Sequence, residues 1–205
     1  MEENKMLIFI SNLIENMPAD WLNLTTHRLD IYDEKLAKSQ FLEYFETLFN
    51  DNNWTSTALQ ELPTAYDYIR LGHPLSCVLE WVIANLNNLN PENVISFSSK
   101  TTPILAVLRK NLLDNKRTQI VCTEELPNFF DVEIIQDIYG YNFDIKRVQK
   151  IEEVSEFDGS TIFISQRDEI SNFSLTQDID FYMNTSTHLG SVLLINGEQN
   201  KNYIP

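Results

Sequence analysis

The sequence predicts an α/β fold, in which a mainly parallel sheet is flanked by helices and preceded by a helical N-terminal extension. Beyond residue 93, short apolar runs alternate with helical segments, which is the pattern of βαβ units. Within residues 1–63, the longest apolar patterns have helical spacing instead. We therefore predict a helical part over residues 1–63 and an α/β domain over residues 64–205, which we expect to be one compact unit.

Three segments ahead of the first predicted strand have the apolar spacing of helices. Residues 3–17 and 34–50 form the first two, and the apolar residues of the second gather on one broad face. Residues 51–63 interrupt the pattern with polar side chains and end in proline. From Pro74 to about Leu89 the apolar residues again follow the 3.6-residue period, and Pro74 suits the first turn of a helix.

The rest of the chain alternates between strands and helices. A helix that begins at SSKTTP follows the first apolar run, and residues 127–140, closed by Gly140, predict a helix after the second. Residues 149–159 predict a charged loop. The predicted strands are residues 94–97, 118–123, 141–148, 160–165, 178–183 and 191–196.

The charge balance limits the class of partner. The chain of 205 residues has a net charge of −15 and an isoelectric point near 4.5. An acidic surface repels nucleic acid and anionic membranes, so we expect neither as a partner. The acidic residues either keep the chain soluble or attract a basic protein partner.

Targeting and metal signals are weak in this sequence. The apolar run MLIFI is too short for a signal peptide, and no stretch is long and apolar enough to cross a bilayer. Cys77 and Cys122 lie among apolar neighbours without metal-ligand spacing, which is typical of reduced, buried thiols. With only three histidines, the sequence offers few metal ligands, and we predict no metal site. Because the thiols look reduced and no signal peptide or membrane span is recognisable, we expect a cytoplasmic protein.

The clearest candidate binding site is the helix start that follows residues 94–97. Ser98, Ser99, Lys100 and Thr101 bring hydroxyls and an ammonium group to the end of a predicted strand, where α/β proteins bind ligands. Backbone N–H groups of the first helical turn add to this cradle for an anion. The same residues also fit a plain N-cap, in which Ser98 or Ser99 satisfies the first turn.

Three short stretches match the motifs of one family in the same order. YIRLGHPL, LEWVIANL and FSSKTT occupy residues 68–75, 79–86 and 97–102. They resemble the motifs Y-x-R-x-G-N-P-T, L-E-x-x-I-A-x-L and F-S-S-G-M-A-A of the cystathionine γ-synthase and β-lyase family. These are the pyridoxal-phosphate (PLP) enzymes of cysteine and methionine metabolism. The resemblance implies a PLP-transferase-like sheet, that of the fold type I large domain, shortened in this chain.

The resemblance also implies roles for particular residues. In the family, the tyrosine and arginine of the first motif reach the cofactor phosphate of the neighbouring subunit. The resemblance therefore implies a phosphate role for Tyr68 and Arg70, and it implies a homodimer. An arginine suits such a role because its guanidinium binds phosphate through two hydrogen bonds. The alternative is a structural pair of Arg70 with a carboxylate beside a packed Tyr68.

The sequence departs from the family where the chemistry is done. Lys100 replaces a glycine of the phosphate loop, and the segment with the aspartate that pairs with the pyridinium nitrogen is missing. His188 stands where the family has the lysine that forms the Schiff base, and an imidazole cannot form that imine. We therefore expect no catalytic residue and no covalent PLP aldimine, although the cofactor itself stays open. His188 is either a surface or capping residue or a relic that faces a vacated pocket.

Three functions follow from these observations. The first is a non-catalytic, shortened homologue of the PLP-dependent enzymes that acts as a binding or interaction protein. The second is an enzyme or sensor that binds PLP or another phosphate-bearing ligand at residues 98–102. The third is an acidic α/β scaffold that binds a basic protein partner.

Overall fold

The computed structural model of the protein describes residues 2–22, 34–63, 73–173 and 175–197, which belong to two compact units. The units comprise Met1–Glu92 and Asn93–Pro205. The division therefore falls later in the chain than the predicted boundary between residues 63 and 64, and residues 64–205 do not form one unit. The reason is that the helix beginning at Pro74 buries Cys77, Val78 and Trp81 in the core of the first unit.

The first unit is helical. It contains the predicted helices as α1 (Glu2–Asn16), α2 (Glu34–Asn50) and α4 (Pro74–Leu86), and a short α3 (Ser56–Gln60) that was not predicted. Thr55 caps α3, because its hydroxyl accepts a hydrogen bond from the N–H of Ala58. Pro74 stands in the first turn of α4, as the sequence predicts.

Aromatic side chains build the core of this unit. The ring of Phe45 lies in edge contact with Phe9 and Trp81, at centroid distances of 5.7 and 5.3 Å, and stacks on Phe41. Such contacts add to the stability that apolar burial supplies. Lys38 of α2 and Glu80 of α4 form an ion pair, with 2.6 Å between Nζ and Oε2. Only 16% of the Lys38 side chain and 8% of the Glu80 side chain are exposed, so the pair is mostly buried.

The second unit contains the mixed α/β sheet that the sequence predicts. Its elements are β1 (Val94–Phe97), α5 (Thr102–Leu113), β2 (Thr118–Cys122), β3 (Asp144–Arg147), β4 (Ser160–Gln166), β5 (Phe181–Ser186) and β6 (Gly190–Ile195). The strand order is β1-β6-β5-β4-β2-β3. Only β6 runs against the other five strands, so the sheet is mainly parallel and the predicted fold class is confirmed.

One face of the sheet carries a continuous apolar core. The side chains of Ile104, Val107 and Leu108 from α5 pack there against strand residues such as Ile120, Ile162 and Met183. Within each strand every second residue points to this face, because side chains alternate between the two faces of a sheet. The core therefore fixes α5, and with it the helix start at Thr102, on the sheet.

The predicted helix over residues 127–140 is wrong in extent. The helical segment covers only residues 132–138, of which Ile134–Ile138 form a π-helical turn. Residues 127–130 form a separate turn instead, in which Phe130 N donates to the carbonyl of Pro127. Asp131 then starts the helical segment, because its carboxylate accepts a hydrogen bond from the N–H of Ile134 at 3.0 Å. Gly140 ends the segment with a φ of +71°, as its position predicts.

Candidate functional site

The candidate site lies at the edge of the sheet where the parallel strands have their carboxyl ends. Phe97 of β1 pairs with Ser191 of β6, and Ser191 pairs with Thr185 of β5. The hairpin turn over residues 187–189, which contains His188, therefore lies beside Ser98 and Ser99. The structure thus brings together the predicted helix start and His188.

Ser99 caps the helix start. Its hydroxyl accepts hydrogen bonds from the N–H groups of Thr101 and Thr102, at 3.2 and 3.1 Å. The carbonyl of Ser99 accepts a bond of 2.6 Å from the Ser191 hydroxyl. Since Pro103 has no N–H, few donors of the first turn are left for an anion. The Ser99 hydroxyl therefore satisfies N–H groups at the start of α5, as the N-cap alternative expects, although the N-cap position itself is Thr101, whose side chain makes no capping bond.

Gly190 allows the hairpin to approach the helix start closely. Its φ is +75°, in the left-handed region that favours glycine. A Cβ at this position would overlap the carbonyl oxygen of Phe97 and lie 2.9 Å from that of Ser98. The glycine is thus needed both for its own backbone conformation and for the packing of β6 against β1.

His188 lies on the exposed turn of the hairpin. The Ser186 hydroxyl accepts hydrogen bonds from the N–H groups of His188 and Leu189, at 3.1 and 3.3 Å. Asp168, which follows β4, also stabilises the turn, because its carboxylate accepts two hydrogen bonds from Thr187. Of the two alternatives for His188, the structure supports a surface residue of a tightly bonded turn.

The carboxylate of Asp168 fixes this turn through two hydrogen bonds. It accepts from the Thr187 hydroxyl at 2.7 Å and from the Thr187 N–H at 3.1 Å. The bond from the Thr187 hydroxyl is the main reason why the pKa of Asp168 is lowered, with the bond from the Thr187 N–H next. A lowered carboxyl pKa means that the ionised form is favoured in the folded state, so this contribution to stability is present above the unfolded pKa and is lost as the pH falls through the folded one.

Replacing Thr187 by valine tests this arrangement. We expect the pKa of Asp168 to rise in Thr187→Val, because the hydroxyl donor is removed while the shape of the side chain is kept. The measurement is a carbon-13 titration of the Asp168 carboxyl by nuclear magnetic resonance. The control is Thr187→Ser, which keeps the hydroxyl and should keep the lowered pKa. An identical titration in wild type and Thr187→Val would contradict the assignment.

The remaining predicted residues divide into two groups. Lys100 and Thr101 lie at the helix start, partly buried, and the hydroxyl of Thr101 is 3.3 Å from that of Ser99. Tyr68 and Arg70 lie outside the described residues, so their phosphate role and the homodimer stay predictions. The described end of YIRLGHPL is a helix entry, since His73 Nδ1 accepts a hydrogen bond from the N–H of Leu75 at 3.1 Å.

Sequence reasoning missed a cleft at the carboxyl ends of β2 and β4. It has a volume of about 210 Å³, and its lining includes Thr123, Glu124, Gln166, Arg167 and Tyr182. The available signal was the polar run SQRDE at the end of a predicted strand, which is the position where α/β proteins place ligand-binding side chains.

Cys122 also lines this cleft, as an uncharged thiol. Burial raises the pKa of Cys122, and the nearby charge of Arg147 offsets this only in part. Because the thiolate is the reactive form of cysteine, the raised pKa makes Cys122 a packing residue. This agrees with the predicted role of a buried, reduced thiol.

Two further properties, metal ligation and membrane spanning, concern the residues that the structure describes. These residues contain no cluster of three or more His, Cys, Asp or Glu side chains that could hold a metal ion. They also contain no helix that is both long and apolar enough to span a membrane.

The hairpin turn at this edge does not supply the primary amine that a covalently bound PLP requires. His188 offers an imidazole on an exposed turn instead of a primary amine. The Ser99 hydroxyl and two N–H groups of the helix start already bond one another. In addition, β4 and β5 pair directly, so no strand lies between them.

Comparison with known proteins gives similarity to solved structures alone. No family model matches the sequence, and no curated protein matches it. One similar structure is a putative O-acetylhomoserine (thiol)-lyase from Campylobacter jejuni with N'-pyridoxyl-lysine-5'-monophosphate, at a TM-score of 0.42 and 14% identity over 90% of this chain and 50% of that one. Another is a NifS-like protein, at a TM-score of 0.43 and 12% identity over 94% of this chain and 60% of that one. The chain thus spans half to three fifths of their length.

Proposed function

We propose that this chain is a binding or interaction protein that does not carry out PLP-dependent catalysis. The observation that supports the proposal most is the position of His188. His188 stands where the motif that this sequence resembles has its catalytic lysine. It lies on an exposed turn, and hydrogen bonds to Ser186 and Asp168 hold that turn in place. The imidazole of His188 cannot form an imine, and its side chain is exposed.

The bonding of the helix start supports the same proposal. A phosphate group would have to replace the Ser99 hydroxyl as the acceptor for the N–H groups of Thr101 and Thr102. The chain therefore stabilises this edge with its own side chains. A cytoplasmic location and a basic protein partner stay predictions alongside this proposal.

Absorbance spectroscopy with PLP tests the proposal. The purified chain is titrated with PLP, and free lysine at the same total amine concentration serves as the reference. We expect the two visible spectra to coincide, because His188 stands where the family has its Schiff-base lysine and an imidazole cannot form that imine. An aldimine band that saturates at one PLP per chain would contradict the proposal, and its loss in Lys100→Arg would assign the band to Lys100.

A further inference from the structure

The cleft at the carboxyl ends of β2 and β4 has the position and composition of a small-molecule site. In open α/β sheets, ligands bind outside the carboxyl ends of parallel strands, and β2 and β4 are parallel neighbours. The cleft joins apolar side chains, such as Pro127 and Ile151, to a few polar ones. Its volume of about 210 Å³ is below the range of drug-sized sites, so the ligand must be small.

Asn184 holds the backbone of Arg167 in this cleft. Asn184 is 1% exposed, and its side-chain amide bonds both the N–H and the carbonyl of Arg167. Its Nδ2 donates to the Arg167 carbonyl at 2.8 Å, and its Oδ1 accepts from the Arg167 N–H at 3.0 Å. The Ser165 hydroxyl also donates to this Oδ1, at 2.8 Å. Arg167 is therefore held by a buried network although it follows the end of β4.

The guanidinium of Arg167 already binds a carboxylate of the chain. Its Nη2 lies 2.8 Å from Oε2 of Glu169, its Nη1 donates to the carbonyl of Asn172 at 3.5 Å, and its Cζ lies 5.7 Å from the ring centre of Phe173. The Glu169 side chain is 75% exposed, so this ion pair is solvated and weak. A ligand carboxylate can therefore take the place of Glu169 on the guanidinium with little cost.

The charges around the cleft select among anions. Glu124 and Glu125 lie on its lining, and the Nε of Arg147 donates to the carbonyl of Thr123, another lining residue, at 3.4 Å. A doubly charged phosphate ester meets more repulsion from the two glutamates than a singly charged carboxylate does. A planar guanidinium also matches the geometry of a carboxylate.

We propose that this cleft binds a small monocarboxylate with an apolar body, whose carboxylate pairs with Arg167 in place of Glu169. The apolar body packs against Pro127 and Ile151, and the side chains of Ser165 and Thr123 lie within the same lining. The inference rests on the proposed binding function and adds a site and a ligand class to it.

Titration with isobutyrate tests this inference. The readout is the chemical shift of the backbone amides of residues 123–125 and 165–167, with inorganic phosphate and glycerol phosphate as comparison anions. We expect saturable shifts with isobutyrate and none with either phosphate compound. Arg167→Met should weaken isobutyrate binding at least tenfold, whereas Arg117→Met, which removes an exposed arginine paired with Asp144 outside this cleft, should leave it unchanged.

Glu169→Gln provides the sharper variant because it should improve binding. Removing the competing carboxylate should tighten isobutyrate binding by up to about fivefold, the range that exposed ion pairs allow. No saturable shift, equal binding to Arg167→Met, weaker binding to Glu169→Gln, or saturation by the phosphate compounds alone would each overturn the inference. These outcomes leave the proposed function standing, since that depends on the PLP titration.

Discussion

Replacing Phe45 by alanine should destabilise the helical unit by about 3–5 kcal/mol, the range for removing a large buried aromatic side chain. The side chain is fully buried, and its ring contacts Phe9, Phe41 and Trp81. The loss combines the apolar surface of the ring with the cavity that remains, because three packed aromatic rings cannot close the gap without leaving their own contacts.

Urea unfolding followed by tryptophan fluorescence measures this effect in the helical unit. The three tryptophans of the chain, Trp21, Trp54 and Trp81, all belong to Met1–Glu92. The midpoint of the transition is the quantity to compare, since loss of a neighbouring ring also changes the intensity of Trp81. The control is Tyr44→Ala on the same helix, where the side chain is 59% exposed and the change should stay within about 0.5 kcal/mol. Equal midpoints for the two variants would contradict the described core.

Replacing Gly190 by alanine should destabilise the sheet unit by about 2–5 kcal/mol. About 1–2 kcal/mol comes from the left-handed backbone conformation, and about 1–3 kcal/mol comes from the overlap of the new Cβ with the carbonyls of Phe97 and Ser98. Those carbonyls belong to β1 and to the residue that follows it, which cannot shift without breaking their pairing with β6. The variant should therefore also loosen the helix start at Ser99.

Hydrogen–deuterium exchange of the β5 and β6 amides locates this effect, because it reports on the sheet unit separately. The matched control is Gly197→Ala, since Gly197 has a φ of +79° but nothing within 4 Å of its would-be Cβ. This control should lose only the conformational part, about 1–2 kcal/mol. If exchange in the two variants were the same, the close approach at Gly190 would have no energetic role.

The helices and most strands could be predicted because local periodicity determines them. Residues 34–50, 74–89 and 160–165 have one apolar face or an apolar run, and the structure places helices or a strand there. Strand β5 was predicted at residues 178–183 but spans Phe181–Ser186. The residues NTS look like a loop, yet Asn184 and Thr185 are buried because Ser165 and Arg167 satisfy their polar groups. Single-sequence reasoning has no access to such partners.

Only the local part of the candidate site could be predicted from the sequence. The hydroxyl-rich helix start at Ser99 is a local signal, because the Ser99 hydroxyl bonds N–H groups only two and three positions away. The cleft around Arg167 depends on Asn184 and on the parallel pairing of β4 with β2 and β5, which are contacts between distant segments. The boundary between the units was missed for the same reason, since the burial of Cys77 and Trp81 depends on α1 and α2.

Peptide mapping after borohydride reduction with PLP is the most direct test of the central claim, that the carboxyl edge of this sheet holds no covalent PLP. The chain is incubated with one equivalent of PLP, reduced, digested and analysed by mass spectrometry. We expect low labelling spread over several exposed lysines and no modification of His188. A single lysine labelled to about one PLP per chain, and protected from labelling by an excess of inorganic phosphate, would contradict the claim.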